Sequence, residues 1–236
     1  SAIDLSALSD TTYWTAGTSG TGSIRVTNGG GTNATGSYSV AQGLNTTASG
    51  NYGSHSEGYL TTASGPSSHS EGYLTTASNE TSHAEGFTTT ASGPNSHSEG
   101  QTTIASARSS HAEGRETTAS GIYSHSEGNN TIASGAASHS GGISTIAGAK
   151  ASKVSGINST VTASGNYSFI HSNSSFINKT NAAILGGTNN QLSSDADRSV
   201  VLGGTGITGL TTDTVYTPNL TVREDYILHS NSALEV

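Results

Sequence analysis

The chain has 236 residues, 31% of them apolar and 10% charged, with a formal net charge of −8 and no cysteine. An acidic balance excludes the basic groove that a nucleic-acid partner needs, and no run approaches the roughly 18 apolar residues of a membrane span. Low hydrophobicity is a compositional mark of disorder, but the charge is low too and the sequence is strictly periodic, so an internal repeat is the first reading to test.

Residues 1–33 carry no repeat. The opening SAIDLSALSDTTYW reads as an N-terminal cap or linker, with Tyr13 and Trp14 covering the open end of the repeats, because terminal coils of a solenoid need caps. NGGG at 28–31 reads as a turn. No basic-then-apolar signal segment opens the chain. Methionine is absent even from position 1, which predicts a piece of a longer protein.

From 34 to 165 the chain repeats. Histidines stand at 55, 69, 83, 97, 111, 125 and 139, every fourteen residues. An acid follows two places on, at Glu57, Glu71, Glu85, Glu99, Glu113 and Glu127, and the seventh copy has Gly141 instead. A glycine follows each acid, from Gly58 to Gly128. The other half of the unit reads T-[TI]-A-S-G, with Thr at 61 to 145 and Ala at 63 to 147. Each half alternates with period two, a strand signal. Recurrent glycine and threonine argue against helix.

The expected fold is therefore all-β: a parallel β-roll of fourteen-residue coils, stacked at about 4.8 Å, the usual strand separation. A coil this narrow holds only small side chains. Ser56, Ser70, Ala84, Ala63, Ala77 and Ala91 are predicted inside, with His and Glu on the outer side of the first strand. An Ala and Ser interior buries little apolar area, so a second surface has to supply stability; a homotrimer of side-by-side rolls is the simplest source.

Several chemistries fit a His/Glu column. Metal ligation would use His69, Glu71, His83 and Glu85, but one strand offers no tetrahedral set and an ion in every coil would stack charge. No metal and no cofactor are expected. Six equivalent carboxylates are not the two differentiated ones of a glycosidase, and no nucleophilic triad is implied, so the chain reads as a non-enzyme. The favoured reading is a paired polar network between chains, built from His55, Glu57, His69, Glu71, His83, Glu85, His97, Glu99, His111, Glu113, His125 and Glu127. It predicts titration between about pH 5 and 7, with acid acting through the carboxylates. An ice-binding face is a further reading of the threonines, but outward Thr62, Thr76, Thr90 and Thr118 are interrupted by Ile104, Ile132 and Ile146. Tyr59, Tyr73, Phe87 and Arg115, just after each EG, are the candidate receptor contacts, the aromatics by stacking on sugar rings.

The register is expected to loosen near 148. Residues 166–209 read as a second, more apolar repeat or a neck, with Phe169-Ile170, Phe176-Ile177, Ile184-Leu185 and 200–202 as its apolar pairs. Residues 210–236 read as a C-terminal strand segment leading to a domain outside this chain.

SVAQG at 39–43 followed by TTASG at 46–50 resembles the head repeat of YadA-type trimeric autotransporter adhesins, which also occurs in bacteriophage tail fibres. The resemblance covers roughly 34–165. It implies a left-handed roll of three identical chains in which the positions of Val40 and Gln42, and hence His55 and Glu57, face neighbouring chains. It also implies that the tail precedes a self-cleaving chaperone domain. The expected function is a trimeric attachment-fibre segment on a virion tail or tail tip, presenting a surface to a glycan or protein receptor of a host cell. The alternatives are the head of a bacterial surface adhesin, or a fibre shaft whose active part lies elsewhere.

Overall fold

A computed structural model describes residues 14–26, 30–193 and 195–219. These residues form an all-β parallel solenoid with no helix, built of a 15-stranded and a 13-stranded sheet. Each coil gives one strand to each sheet. In the coil that starts at His69, the first strand is His69–Tyr73 and the second only Thr76–Ala77. His69 lies opposite His83 and Glu71 opposite Glu85, so like residues stack in columns. No helix among the described residues is long and apolar enough to cross a membrane.

Two corners turn each coil. Leu74 (φ 56°) follows the first strand, and Thr81 (φ 48°) precedes the next. Non-glycine residues seldom adopt this left-handed conformation, yet one recurs every seven residues from Leu60 to Asn158. The glycine two places before the first of these corners is forced. At Gly114 φ is 102°, and an added Cβ would overlap the carbonyl oxygen of Gly128 one coil on. Only glycine lets the backbones stack there.

The interior follows the small-residue columns. Ser56, Ser70, Ala84, Ala63, Ala77 and Ala91 are all fully buried. The threonine column at 61, 75, 89, 103, 117, 131 and 145 is buried beside them, where its hydroxyls meet the inner serines. Ser56 pairs with Thr61 at 2.8 Å, Ser98 with Thr103 at 2.7 Å and Ser140 with Thr145 at 2.8 Å. Where the serine is replaced by Ala41, Ala84 or Ala112, the hydroxyls of Thr46, Thr89 and Thr117 are buried without a partner.

The register does not loosen at 148. Lys153 continues the histidine column opposite His139, still fourteen residues on. The next coil is lengthened, as is the earlier one from Val40 to His55, and Phe169 lies opposite Lys153 because a turn closed by Gly165 N–H donating to Thr162 O at 2.9 Å adds residues at the corner. A later coil runs from Ala183 to Val200. The two sheets pass through 165 unbroken, while an apolar core starts earlier: Ala147, Val154, Val161, Ile170, Ile177, Ile184, Leu192 and Val201 form one buried cluster.

At the N-terminal end, Trp14–Ala16 pairs antiparallel with Ile24–Val26 and closes the edge of the larger sheet. The cap is therefore a hairpin and not an indole plug, since Trp14 is 47% exposed. Tyr13, Asn28 and Gly29 lie outside the described residues. At the other end Val215–Tyr216 still belongs to the larger sheet. Residues 220–236 are outside the described residues, and so is most of the expected tail segment.

Candidate functional site

The outer face of the larger sheet carries the one surface built from a single kind of chemistry. Strand alternation sends His, Glu and their copies outward while Ser or Ala turns inward. Because the strands are parallel and in register, the imidazoles form a ladder. Ring centroids from His55 to His139 are 4.7–4.9 Å apart, and the planes lie within 5° of one another as far as His125. The His139 ring tilts by 21° from its neighbour.

The carboxylates run alongside, and the pairing shifts along the rod. His55, His69 and His83 lie 3.7–3.8 Å from the glutamate of their own coil. His97 and His111 turn to the glutamate of the preceding coil, at 3.9 and 3.4 Å. His125 and His139 complete the change, meeting Glu113 and Glu127 at 3.0 Å. With Gly141 in its own coil, His139 has only the glutamate of the coil before to take, the choice that His97, His111 and His125 also make. At the other end, Gln42 Nε2 donates to Glu57.

Electrostatics follow from crowding. Burial, then the neighbouring imidazole, lowers the pKa of His55, His69, His83 and His97 below the usual value, outweighing the nearby glutamates. Glu85 is pushed up to about 7, first by its hydrogen bond to Glu99 and then by that to Glu71. Glu71 and Glu99 are lowered by accepting from it. Three adjacent carboxyls thus share a proton held on Glu85. Glu85 therefore takes up a proton near neutrality, while the imidazoles of His55, His69, His83 and His97 are held toward their neutral form.

An open groove of about 540 Å³ runs beside the acid column, lined by Gln42, Gly43, Glu57, Gly58, Glu71, Gly72 and Gly86. Tyr59, Tyr73 and Phe87 follow the glycines Gly58, Gly72 and Gly86 in sequence and are not among its lining residues. They are brought together as a stack, with centroids 5.1 and 5.0 Å apart. At that spacing both ring faces of Tyr73 are covered by its neighbours, while Tyr59 and Phe87 each have one face outside the stack. Arg115 is two coils beyond Phe87 and is paired with Glu116 at 3.0 Å. It does not join the aromatic stack.

Of the candidate metal ligands, His83, Glu85 and His97 place one donor atom each within 4.8 Å of the others, as do Glu57, His69 and Glu71. Further sets are His97–Glu99–His111 and His111–Glu113–His125. The sequence candidates His69, Glu71, His83 and Glu85 already span two coils, but the structure groups them differently, His83 and Glu85 with His97 and His69 and Glu71 with Glu57. Sequence reasoning missed Tyr38 and Tyr52, which are 62% and 75% exposed on left-handed corners. No protein-family model matches the chain, and comparison with curated proteins finds no match either.

Proposed function

We propose that the chain is a segment of a homotrimeric attachment fibre, a left-handed roll that holds a receptor-binding surface away from its base and carries no catalytic centre. The supporting observation is the interior. From Ala34 to Ser140 the inward side chains are Ala, Ser and Thr. Such an interior contributes little by apolar burial, at about 25 cal/mol per Å², so a long rod of these coils gains from covering one outer face with further copies. The His/Glu face suits that role. It is flat, in register and only about one-third exposed: His69 and Glu71 retain 36% and 35% of their side-chain surface.

The SVAQG and TTASG motifs favour a tail-fibre or adhesin head over other β-solenoids. A virion tail or a bacterial surface is the corresponding location, and a host glycan or protein the corresponding partner. Repetition along the rod gives avidity, so each contact can be weak. Sedimentation equilibrium tests the assembly: the expected species has three times the 23.6 kDa chain mass. A stable, folded monomer at micromolar concentration would sink the trimer, and a receptor screen on glycan arrays and host cells without any binder would sink the attachment role.

A further inference from the structure

Five imidazoles, those of His55, His69, His83, His97 and His111, have an Nε2 atom shut off from solvent with no hydrogen-bond partner. Buried nitrogens without partners are rare and need a reason. Each faces a carboxylate oxygen at 3.4–3.9 Å. That is too long for a hydrogen bond, which ends near 3.2 Å. It is close to the separation of two donors on one small ion: with ligands at about 2.0–2.1 Å in a tetrahedral shell, neighbouring donors stand about 3.4 Å apart.

Glu85 gives the clearest case. Its Oε2 faces His83 Nε2 at 3.8 Å and its Oε1 faces His97 Nε2 at 3.9 Å. One carboxylate therefore lies between two imidazole nitrogens that lack partners. We propose that His83, Glu85 and His97 bind a divalent ion of the zinc class, with water completing the shell, and that His111, Glu113 and His125 form a second such site. Two imidazoles and a carboxylate are donors that suit this ion, and binding at the first site releases to solvent the proton that Glu85 holds. The two sites share no residue; the set Glu57–His69–Glu71, which is also separate from them, offers a single imidazole and is not included. The intervening set, His97–Glu99–His111, shares a histidine with each and so stays unfilled when both are occupied.

This alternation answers the objection of stacked charge. Ions in every second coil are two ring spacings apart, about 10 Å, the distance over which 0.1 M salt screens exposed charges. The chain is acidic by eight charges, so bound cations reduce its self-repulsion. Binding has a structural requirement. The rings of His83 and His97 are parallel to within 3°, and both lone pairs cannot meet one ion until the rings tilt toward it. Each retains about 36% of its side-chain surface, which leaves room for that tilt. All donors of a site come from one chain, so a site is complete without a partner, although the trimer of the proposed function covers this same face.

The test uses the whole chain, stripped with EDTA and dialysed. Co²⁺ is added as an optical probe of zinc sites and Zn²⁺ by calorimetry. The expected result is two ions per chain and a visible cobalt band displaced by zinc. His97→Gln is expected to reduce two ions to one, and His97→Gln with His111→Gln to none, while His171→Gln leaves two. Far-UV circular dichroism in EDTA checks that each variant folds. If the double variant does not fold, imidazole ¹³C shifts of the unaltered chain decide. Zn²⁺ is expected to move His83, His97, His111 and His125 and leave His171 in place. Less than one ion per chain, a stoichiometry unchanged in the double variant, or shifts spread evenly over all histidines would overturn the proposal.

Discussion

Gly114→Ala is the substitution the fold should tolerate least, and Gly141→Ala is its control. At Gly114 the backbone sits at φ 102°, and the new Cβ overlaps the Gly128 carbonyl oxygen and lies 3.0 Å from Gly128 N. That same carbonyl accepts the Arg115 N–H at 2.9 Å. A side chain in left-handed backbone costs about 1–2 kcal/mol. Moving the carbonyl away loses a ladder bond between exposed residues, about 0.5–1.5 kcal/mol more. The expected loss is about 1.5–3.5 kcal/mol. Gly141 is not in that conformation. A Cβ there meets the Glu127 side chain, 2.9 Å from Oε1 and 3.2 Å from Cγ, and no backbone atom is among its nearest neighbours. Gly141 is buried, so its substitution is expected to cost about 1 kcal/mol, the common value for a point change. Urea denaturation of both variants, with amide exchange at Arg115 and Asn129, measures the difference. Equal losses, or a Gly114→Ala loss below about 1 kcal/mol, would refute the close-stacking argument.

Three further outcomes are expected. Ser70→Ala strands the buried hydroxyl of Thr75, its partner at 2.8 Å, and should cost about 1–3 kcal/mol, whereas Ala84→Ser gives Thr89 a partner and should gain about 1 kcal/mol; opposite signs in denaturant midpoint are the check. Thr88→Asn relieves a β-branched residue at φ 57° on an exposed corner and should stabilise by about 1 kcal/mol, read as a rise in Tm. In EDTA, acid should destabilise. The lowered imidazoles of His55, His69, His83 and His97 contribute stability above 6.5 that is lost as pH falls through their folded values. Glu85, raised to about 7, acts oppositely, contributing below 4.5 and losing that contribution as pH rises through 7. Glu85→Gln should therefore steepen the loss of Tm between pH 7 and 5, and a shallower curve contradicts the shared proton.

The coil was legible because its constraint is steric and repeats. Ser56, Ala63 and Thr61 had to be small to lie inside, and the glycine after each acid marked the place where backbones stack. Pairing within the His/Glu face was not legible. The repeat offers His97 both its own Glu99 and the Glu85 of the preceding coil, and the spacing alone does not choose between them, whereas the structure pairs it with Glu85. The serine–threonine link was missed because S-H-[SA]-E-G treats Ser and Ala as one class. They are alike in size but not in hydrogen bonding, and Thr89 records the difference. The aromatic positions were legible as a column, but a column at strand spacing also covers its own ring faces, and that changes what Tyr73 can touch.

The change of interior along the rod has a mechanical consequence. The ladder hydrogen bonds lie along the coil axis, so tension on a chain pulled along that axis passes through every coil interface in series. All interfaces bear the same force, and the least supported yields first. Those are the Ala/Ser coils before Ala147, not the Ile- and Val-filled coils beyond it. One released coil of fourteen residues pays out about 46–50 Å of extended chain. The N-terminal coils then lengthen under load while the C-terminal coils keep their shape, so one solenoid joins an extensible segment to a rigid one.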